Sequence, residues 1–319
     1  MIKDRLVTLI GGGGFIGRYV AQELLAAGAR VRIVERDPRR AWFIKPLGGL
    51  GQTQFAAADV TRPETVARAV AGSDAVVYLV GTWGPNFQGL HVNGVRAAGE
   101  AAAATGAQAF VHLSALGADP ESPSKYQSSK AAGETALRRA FPAAAIVRPS
   151  VVFGPEDKFL NRFAQLITRA SDLPLAKLVP VLRPKARFQP VHVIDVARAV
   201  VALLADPQAH GGKTYEAVGP EVVTMRELID WLAAAIGRDV GVMELPDILG
   251  QLIASVGFLP GAPITLDQWK TLQTDNVASE TLPTLGALGI TPTPMESVAP
   301  AWLVQYHKAG RFGLRAKTA

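Results

Sequence analysis

A tyrosine and a lysine stand four positions apart in a stretch with helical character: Tyr126 and Lys130. Side chains at this spacing lie on the same face of a helix, so the phenol and the ammonium group are neighbours. A nearby ammonium stabilises a phenolate, and we expect it to lower the pKa of the phenol. The tyrosine can then exchange a proton with an alcohol or a carbonyl group. Because the spacing is frequent by chance, an ordinary surface pair is the alternative.

A glycine-rich run follows an apolar stretch and precedes a helical pattern, since residues 11–17 read Gly-Gly-Gly-Gly-Phe-Ile-Gly. Gly11 and Gly14 allow a tight turn and a close approach to a pyrophosphate, and Gly17 allows the helix to pack near the sheet. Free N–H groups at the helix N-terminus favour the phosphates. Because the run stands between a strand and a helix, as the motif requires, we predict a dinucleotide site.

The end of the second predicted strand distinguishes the two nicotinamide cofactors. NAD-binding proteins place an acidic residue there for the ribose hydroxyls, whereas NADP-binding proteins place an arginine against the 2′-phosphate. Here Glu35 and Arg36 are adjacent, and Arg39 and Arg40 follow. A guanidinium grips a phosphate with two hydrogen bonds, so Arg36 favours NADP(H). NAD(H) stays open as the alternative, as does a solvated basic turn.

Other strand ends are predicted to border the same cofactor. Asp59 and Val60 follow the third strand, beside the adenine, and residues 80–82 close the fourth strand beneath the cofactor. Each position is also an ordinary strand end and is weak alone. The predicted cofactor-binding residues are Gly11, Gly14, Phe15, Ile16, Gly17, Arg36, Arg39, Arg40, Asp59, Val60, Val80, Gly81, Thr82, Lys130 and Pro149.

Short apolar runs alternating with helical patterns position these residues. Strands are predicted at 5–10, 30–35, 54–58, 75–80, 109–114 and 144–148, and helices at 16–27, 63–71, 89–105 and 126–140. This alternation predicts an α/β protein with a Rossmann-type doubly wound parallel sheet. We predict a dinucleotide-binding domain at 1–150 with a returning segment at about 188–205. A smaller, mostly C-terminal α/β lobe with a basic tail is predicted at 151–319.

Beyond residue 150 the pattern loosens, and prolines leave residues 174–190 without a clean period. Helices are predicted at 193–205, 224–236 and 246–256. The last of these carries an apolar stripe of Ile248, Leu249, Leu252, Ile253 and Val256. Such a stripe is usually core. Beside the basic tail after Ala301, it also fits contact with a membrane surface or a partner subunit.

The composition excludes several classes of site and partner. The chain of 319 residues has no cysteine, which excludes disulfides and thiolate metal sites and fits a reducing compartment. Its five histidines lack metal-ligand spacing, so no metal site is predicted. The net charge of +6 favours an acidic partner, but no nucleic-acid motif accompanies it. No signal peptide and no membrane-spanning segment are predicted.

These motifs resemble the short-chain dehydrogenase/reductase superfamily in its extended or atypical branch. The resemblance is carried by residues 11–17, 91–93, 112–114, 126–130, 148–150, 152–155 and 190–197. It implies catalysis by Tyr126 and Lys130, with Lys130 also holding the nicotinamide ribose, and a Ser or Thr at the end of the fifth strand. Ser114 is the nearest hydroxyl and the third predicted catalytic residue. Ala115 and Leu116 follow it where extended enzymes carry more hydroxyls.

Two shorter stretches resemble a narrower family, the nucleotide-binding accessory subunits of respiratory complex I. They are residues 46–52, Pro-Leu-Gly-Gly-Leu-Gly-Gln, and residues 273–277, Gln-Thr-Asp-Asn-Val. The resemblance implies a tightly held NADP(H), a catalytically silent or weak tyrosine–lysine pair and other subunits of the complex as partners. It also implies a peripheral membrane location, on the cytoplasmic face of the inner membrane in a bacterium. The alternative is a soluble NADP-dependent reductase, epimerase or dehydratase.

Overall fold

A computed structural model describes residues 2–173, 177–257, 264–308 and 310. The chain divides into two compact units. Unit 1 comprises Met1–Pro149, Val193–Ala217 and Ala278–Thr291. Unit 2 comprises Ser150–His192, Val218–Val277 and Pro292–Ala319.

Strands and helices are numbered in chain order. The strands are β1 (Leu6–Ile10), β2 (Arg30–Glu35), β3 (Thr53–Ala57), β4 (Ala75–Tyr78), β5 (Ala109–Leu113), β6 (Ala145–Pro149), β7 (Val152–Phe153), β8 (Leu178–Leu182), β9 (Arg187–Phe188), β10 (Val191–His192), β11 (Thr214–Ala217), β12 (Val223–Thr224) and β13 (Gly241–Leu245). The helices are α1 (Phe15–Ala26), α2 (Pro63–Val70), α3 (Gly94–Ala104), α4 (Lys125–Ala140), α5 (Leu160–Ser171), α6 (Val193–Ala205), α7 (Pro207–His210), α8 (Met225–Ala235), α9 (Asp247–Ser255), α10 (Leu266–Thr271), α11 (Met295–Val298) and α12 (Pro300–Leu303). A 3-10 helix at Pro38–Leu47, a π-helical turn at Gln88–Asn93 and short 3-10 turns at Leu285–Leu288 and Val304–Tyr306 complete the described elements.

The sheet of unit 1 has seven parallel strands in the order β11-β6-β5-β4-β1-β2-β3. The strand order reverses between β1 and β4, and ligands of doubly wound sheets bind at such a point, outside the carboxyl ends of the strands. The predicted Rossmann-type fold is therefore confirmed. The seventh strand, β11, was not predicted, because its residues Thr-Tyr-Glu-Ala form no apolar run.

Apolar side chains on alternate positions of the strands form the core on one face of the sheet. Ile10, Val34, Tyr78 and Phe110 pack there with Leu137 of α4, together with residues of α2 and α3. On the strands, neighbouring side chains face the opposite side. Helices α1 and α6 pack against each other. The burial of both faces explains why these strands read as continuous apolar runs rather than alternating ones.

The helix predicted at 89–105 is interrupted by the π-helical turn Gln88–Asn93, and α3 begins only at Gly94. The hydroxyl of Tyr78 donates to the carbonyl oxygen of Leu90 at 2.6 Å. This bond inserts a side chain into the turn, and π-turns frequently occur at functional sites. A Cβ on Gly94 would lie 2.5 Å from the same hydroxyl, so glycine is needed here. The widened turn places His91 in the interior of unit 1.

Unit 2 has its own apolar core, formed around Phe153, Leu160, Ile167, Leu228 and Leu232. Helix α5, which contributes to this core, was not predicted. Strand β8 lies in the stretch that appeared irregular and pairs in parallel with β13, so that Pro180 is opposite Met243. A proline on an edge strand is compatible with such pairing, because it lacks only the N–H donor. The prolines of this stretch are the reason why β8 was not predicted.

The predicted apolar stripe at 246–256 forms α9, and most of it is exposed rather than core. Phe258 and Leu259, as well as Arg311, Arg315 and Lys317 of the predicted basic tail, lie outside the described residues. Among the helices that the structure describes, none is long and apolar enough to cross a membrane.

Candidate functional site

The glycine-rich run forms the turn between β1 and α1. Gly11 has a φ of +84°, in the left-handed region that favours glycine. A Cβ on Gly17 would lie 2.5 Å from the carbonyl oxygen of Gly12 and 2.7 Å from that of Gly11. Helix α1 can therefore approach the end of β1 this closely only because position 17 carries no side chain.

The N-terminus of α1 presents its first backbone N–H groups without a side-chain cap among the described residues. Phe15 and Ile16 supply the first two of these groups, which have no acceptor within the helix. Of the two preceding N–H groups, that of Gly14 donates to the carbonyl oxygen of Gly11 at 3.2 Å, and that of Gly13 donates to Glu35 Oε1 at 2.7 Å. An uncapped helix N-terminus on a tight glycine turn fits a dinucleotide pyrophosphate, because its dipole favours negative charge.

Beside this turn, the end of β2 borders a cavity of about 350 Å³ lined by Glu35, Arg36, Asp37 and Arg40. Arg39 is not among its lining residues: its guanidinium donates two hydrogen bonds to Asp37, at 2.8 and 3.1 Å. Arg40 lies 4.0 Å from the same carboxylate. Burial raises the pKa of Glu35, against the opposing effects of the Gly13 N–H and Arg36. Of the three predicted arginines, Arg36 is the best placed cation for a phosphate.

The tyrosine–lysine pair lies in the first turns of α4, which Ser124 caps by accepting the Gln127 N–H. Lys130 is buried, its Nζ donates to the carbonyl oxygen of Leu113 at 3.1 Å, and the same atom lies 6.0 Å from the centre of the Tyr126 ring. A Cβ on Gly81 would lie 3.5 Å from Nζ, which puts the end of β4 beside the lysine.

Burial changes the pKa values of both members of the pair. It lowers the pKa of Lys130 to about 8, against the attraction of Glu134. It raises the pKa of Tyr126 to about 12. The expectation that the neighbouring ammonium lowers the pKa of the phenol is therefore wrong, because loss of hydration outweighs the charge of a lysine 6.0 Å from the ring.

The hydroxyl of Ser114, the third predicted catalytic residue, already has a hydrogen-bond acceptor within unit 1. Its hydroxyl donates to Glu134 Oε1 at 2.5 Å. Both carboxylate oxygens of Glu134 also accept from Arg148, at 2.9 and 2.7 Å. The carboxylate and the guanidinium form a two-bond ion pair, and the serine completes a mostly buried network. In this arrangement the Ser114 hydroxyl donates to a side chain of unit 1, and its catalytic role stays a prediction.

An aromatic cluster covers the ring of Tyr126. Trp83 stacks on it with ring centres 3.9 Å apart and planes 13° apart. Phe87 and His91 pack edge-on against the same ring at 6.2 and 5.5 Å. Trp83 remains partly exposed, so its outer face meets solvent while its inner face lies on the phenol. A substrate approaching Tyr126 across the stacked face meets the indole first.

His91 links the loop that carries Trp83 to the helix that carries Tyr126. Its Nε2 accepts from the Thr82 N–H at 3.1 Å, so Nδ1 carries the proton and donates to Ser129 Oγ at 2.8 Å. Ser129 in turn donates to the carbonyl oxygen of Tyr126 at 2.8 Å. Burial, helped by the charge of Lys130, lowers the pKa of His91 to about 3. The imidazole is therefore neutral and acts as a fixed connector.

The remaining predicted residues are spread along the carboxyl edge of the sheet. Val80 lies against Gly11, since a Cβ there would be 3.1 Å from Val80 Cγ2. Val60 is part of the core, and Asp59 accepts from the N–H and the hydroxyl of Thr61 at 2.9 and 2.7 Å. Pro149 is buried at the end of β6. The segment directly after β4 therefore lies between the glycine turn and Lys130.

Sequence reasoning missed the residues that close the tyrosine end: Trp83, Phe87, His91 and Glu134. His91 and Arg148 lay in motifs used for the resemblance, and Glu134 stands four positions after Lys130, on the same helix face. That spacing was an available signal for a buried ionic network. Trp83 offered none, because its stacking partner is distant in the sequence.

Each of the two short stretches of the narrower resemblance contains a side chain that accepts hydrogen bonds from backbone N–H groups. Asn276 Oδ1 accepts from the Ser150 hydroxyl at 2.6 Å and from the Val151 N–H at 3.1 Å within unit 2. In unit 1, Gln52 Oε1 accepts from the Gly49 N–H at 2.6 Å. Both side chains therefore hold backbone in place.

Comparison with known proteins agrees with this geometry. A family model described as "NAD dependent epimerase/dehydratase family" matches residues 7–217, which is more than half of the chain. The chain belongs to this family. Its members are NAD(P)-binding proteins with a Rossmann-type fold, and the sheet and glycine turn of unit 1 are those of the family.

Several known proteins align with three quarters or more of the chain. NADH dehydrogenase [ubiquinone] 1 alpha subcomplex subunit 9, mitochondrial, from Mus musculus is 35% identical over 302 residues, covering 92% of this chain and 78% of that protein. Its namesake from Arabidopsis thaliana is 32% identical, with coverage of 98% and 81%. Ceramide reductase from Caulobacter vibrioides is 32% identical over 247 residues, with coverage of 76% and 74%.

Among the solved structures of this fold, one contains NADP(H) and another contains NAD+. The Citrobacter sp. triphenylmethane reductase complexed with NADP(H) has a TM-score of 0.74 and 18% identity, and covers 93% of this chain and 99% of its own. The Bordetella bronchiseptica enzyme WbmH in complex with NAD+ has a TM-score of 0.67 and 21% identity, with coverage of 96% and 99%. At these identities the likeness establishes the fold.

Proposed function

We propose that this chain holds NADP(H) as a structural accessory subunit of a membrane-associated respiratory NADH:quinone oxidoreductase, complex I. The observation that carries the proposal is a difference within unit 1. The glycine turn and Arg36 leave groups ready for a dinucleotide, whereas the Tyr126 ring is covered by Trp83. The subunit 9 relatives support it, since they align over 92% and 98% of the chain.

The cofactor is bound at three points in this proposal. The N–H groups of Phe15 and Ile16 hold the pyrophosphate, and Arg36 holds the 2′-phosphate that distinguishes NADP(H) from NAD(H). Lys130 holds the hydroxyls of the nicotinamide ribose, beside Gly81. Arg40 adds positive potential at the 2′-phosphate, while Arg39 is occupied by Asp37.

A bound nicotinamide supplies or accepts a hydride, but the residues around Tyr126 favour retention over turnover. The phenol has a pKa of about 12, so it is a poor base at neutral pH. Ser114 donates to Glu134 and does not supply the hydroxyl that polarises a substrate oxygen. Trp83 covers the phenol ring. In this proposal the pair of Tyr126 and Lys130 serves the cofactor.

The partners in this proposal are other subunits of the respiratory complex, and the chain sits peripherally on the membrane. In a bacterium that place is the cytoplasmic face of the inner membrane. Helix α9 supports a surface contact, because Ile248 and Leu252 on it are largely exposed. A helix with an apolar face and no length to span a bilayer suits the surface of a membrane or of a neighbouring subunit.

One purification tests the proposal. Membranes are solubilised gently, the chain is captured through a tag, and the co-purifying proteins and the released dinucleotide are identified by mass spectrometry and chromatography. We expect subunits of NADH:quinone oxidoreductase and close to one NADP(H) per chain. Capture of the chain alone, with the oxidoreductase intact elsewhere on a native gel, overturns the accessory role.

The intact tyrosine–lysine pair and the Caulobacter vibrioides relative named ceramide reductase favour a second candidate, an NADP-dependent reductase of a carbonyl compound. Here Tyr126 donates the proton and Lys130 supports it. NADPH consumption with a panel of carbonyl compounds that includes lipid ketones tests this candidate. It requires turnover in the native protein and its loss in Tyr126→Phe, and equal behaviour of the two proteins rejects it.

A further inference from the structure

Four large apolar side chains are exposed within one short stretch of unit 1. Exposed fractions are 57% for Trp42, 42% for Phe43, 47% for Leu47 and full exposure for Leu50. We call these four residues the Trp42 surface. Soluble monomers rarely leave several large apolar side chains together in water, and such groups mark contacts with partners.

The exposure of the Trp42 surface is built into the fold. The 3-10 helix Pro38–Leu47 is anchored by Ala41 and Ile44, which are fully buried, so its other side must face outward. The following turn is held by Gln52, whose Nε2 donates to the carbonyl oxygen of Ala29 at 3.3 Å. This fixed turn projects Leu50 into solvent.

Positive charge surrounds the Trp42 surface. Arg36, Arg39, Arg40 and Lys45 lie in the same stretch, and its single acid, Asp37, already pairs with Arg39 at 2.8 Å. The guanidinium of Arg18 lies over the Phe43 ring, 4.3 Å from its centre. Arginine and tryptophan are the residue types that contribute most at protein interfaces. A matching partner must offer an apolar depression edged by carboxylates, because complementary charge steers and orients association.

We propose that the Trp42 surface docks a neighbouring protein subunit that presents an apolar depression edged with acidic side chains. This inference rests on the proposed function, because it assigns one face of an accessory subunit to its complex. Trp42 and Leu50 enter the depression, and Lys45 meets the carboxylates at its border.

Docking at this place also affects the cofactor. Arg36 and Arg40 line the cavity assigned to the 2′-phosphate and belong to the stretch that carries the Trp42 surface. A partner seated on that surface covers the adenosine end of the dinucleotide and so raises the affinity of the chain for it. Because binding linkage is reciprocal, the dinucleotide strengthens docking by the same factor. The proposal thus accounts for retention without a covalent bond to the cofactor.

A photo-crosslinking experiment in native membranes tests the docking site. Benzoylphenylalanine replaces Trp42 or Leu50 in the full chain, and Leu173 of unit 2, which is 52% exposed, serves as the matched exposed apolar control. We expect positions 42 and 50 to crosslink to one subunit of the oxidoreductase, at peptides rich in Asp or Glu. Crosslinks to lipid, to a second copy of this chain or to no protein, while the complex still co-purifies, overturn the proposal.

Substitutions separate this proposal from the proposed function. We expect the double variant Trp42→Ser with Leu50→Ser to reduce recovery of the oxidoreductase at least tenfold, and Lys45→Glu to reduce it less. The control, Leu173→Ser with Val222→Ser, changes two exposed apolar side chains of unit 2 and retains recovery. The isolated double variant binds NADP(H) as tightly as the isolated native chain and keeps its melting temperature, because its changed side chains are exposed and do not line the cavity. Equal recovery with the native chain and the double variant rejects the docking site alone, whereas no recovery with the native chain rejects the accessory role itself.

Discussion

Two ends of the same sheet edge in unit 1 differ in how their polar groups are used. At the glycine turn, N–H groups of α1 lack a side-chain cap and the Arg36 guanidinium borders an open cavity. At the tyrosine end, Ser114 is bound to Glu134, and Trp83 lies on the Tyr126 ring. A binding site keeps donors open for its ligand, whereas a structural region satisfies its polar groups internally. This difference underlies our proposal that the chain holds a dinucleotide instead of transforming a substrate.

The broadest expected effect comes from Gly17→Val at the glycine turn, the open end of this comparison, because it should lower both the dinucleotide content and the stability. A Cβ at this position already falls 2.5 Å from a carbonyl oxygen, so valine must push α1 away from β1. We expect loss of bound dinucleotide by at least tenfold and a loss of about 1–3 kcal/mol in the free energy of unfolding. Chromatography of released nucleotide and urea unfolding measure the two effects.

A matched control for this change is Gly286→Ala, also in unit 1, where a Cβ meets no atom within 4 Å. This variant should keep both its nucleotide and its stability. If Gly17→Val retained the native nucleotide content, the glycine turn would not be the pyrophosphate site. The two ends of the sheet edge would then not differ in ligand binding.

The second prediction concerns the tyrosine end, the closed end of this comparison. Glu134→Leu removes the carboxylate from its hydrogen-bond network. The substitution leaves Arg148 largely buried without its carboxylate and Ser114 without its acceptor. Removing one partner of a buried ion pair is strongly destabilising, and with Arg148 partly exposed we expect about 2–4 kcal/mol. Urea unfolding measures the loss, and nucleotide content should fall much less than with Gly17→Val.

The surface pair of Arg96 and Glu100 provides the control, because its side chains also meet at 2.7 Å but are about half exposed. Glu100→Leu should cost less than about 0.5 kcal/mol. Equal destabilisation by Glu134→Leu and Glu100→Leu would show that the network around Ser114 is not structural, which would return the serine to the list of catalytic candidates.

A third prediction sharpens the open end by separating the arginines. Arg36→Ala should weaken NADP(H) binding by about 10- to 100-fold, the range expected for charge-assisted hydrogen bonds to a phosphate, while leaving NAD(H) binding nearly unchanged. Arg39→Ala should change neither, because its guanidinium is bound to Asp37. Calorimetric titration with both dinucleotides measures this, and similar losses for the two variants would contradict the assignment of Arg36.

The open end could be predicted from the sequence because its determinants are local. A strand, a glycine turn and a helix start follow one another within residues 6–17, and the arginines follow the next strand directly. The closed end could not be predicted, because Trp83 and Tyr126 meet only through the tertiary fold. Ser114 shows the limit clearly: its place at a strand end was foreseen, but the direction of its hydroxyl depends on Glu134, twenty residues away.

The smallest expected effect comes from uncovering the tyrosine with Trp83→Ala. Burial raises the pKa of Tyr126 to about 12, since it disfavours the phenolate. Removing the indole admits water, so the pKa should fall towards the ordinary value of about 10. Ultraviolet titration of the phenolate, with the Tyr126→Phe form of each protein as the background, measures it. Trp42→Ala, which removes another exposed indole, should leave the titration unchanged.

An unchanged titration in Trp83→Ala would mean that the indole does not keep water from the phenol, and the closed end would lose its cover. A lowered pKa without any gain of NADPH consumption would be the more informative outcome. It would show that exposing the phenol is not sufficient, because Ser114 still donates to Glu134 and no hydroxyl polarises a substrate oxygen. Silence at the tyrosine end would then have two independent physical causes, one in the loop of Trp83 and one in the network beneath the sheet edge.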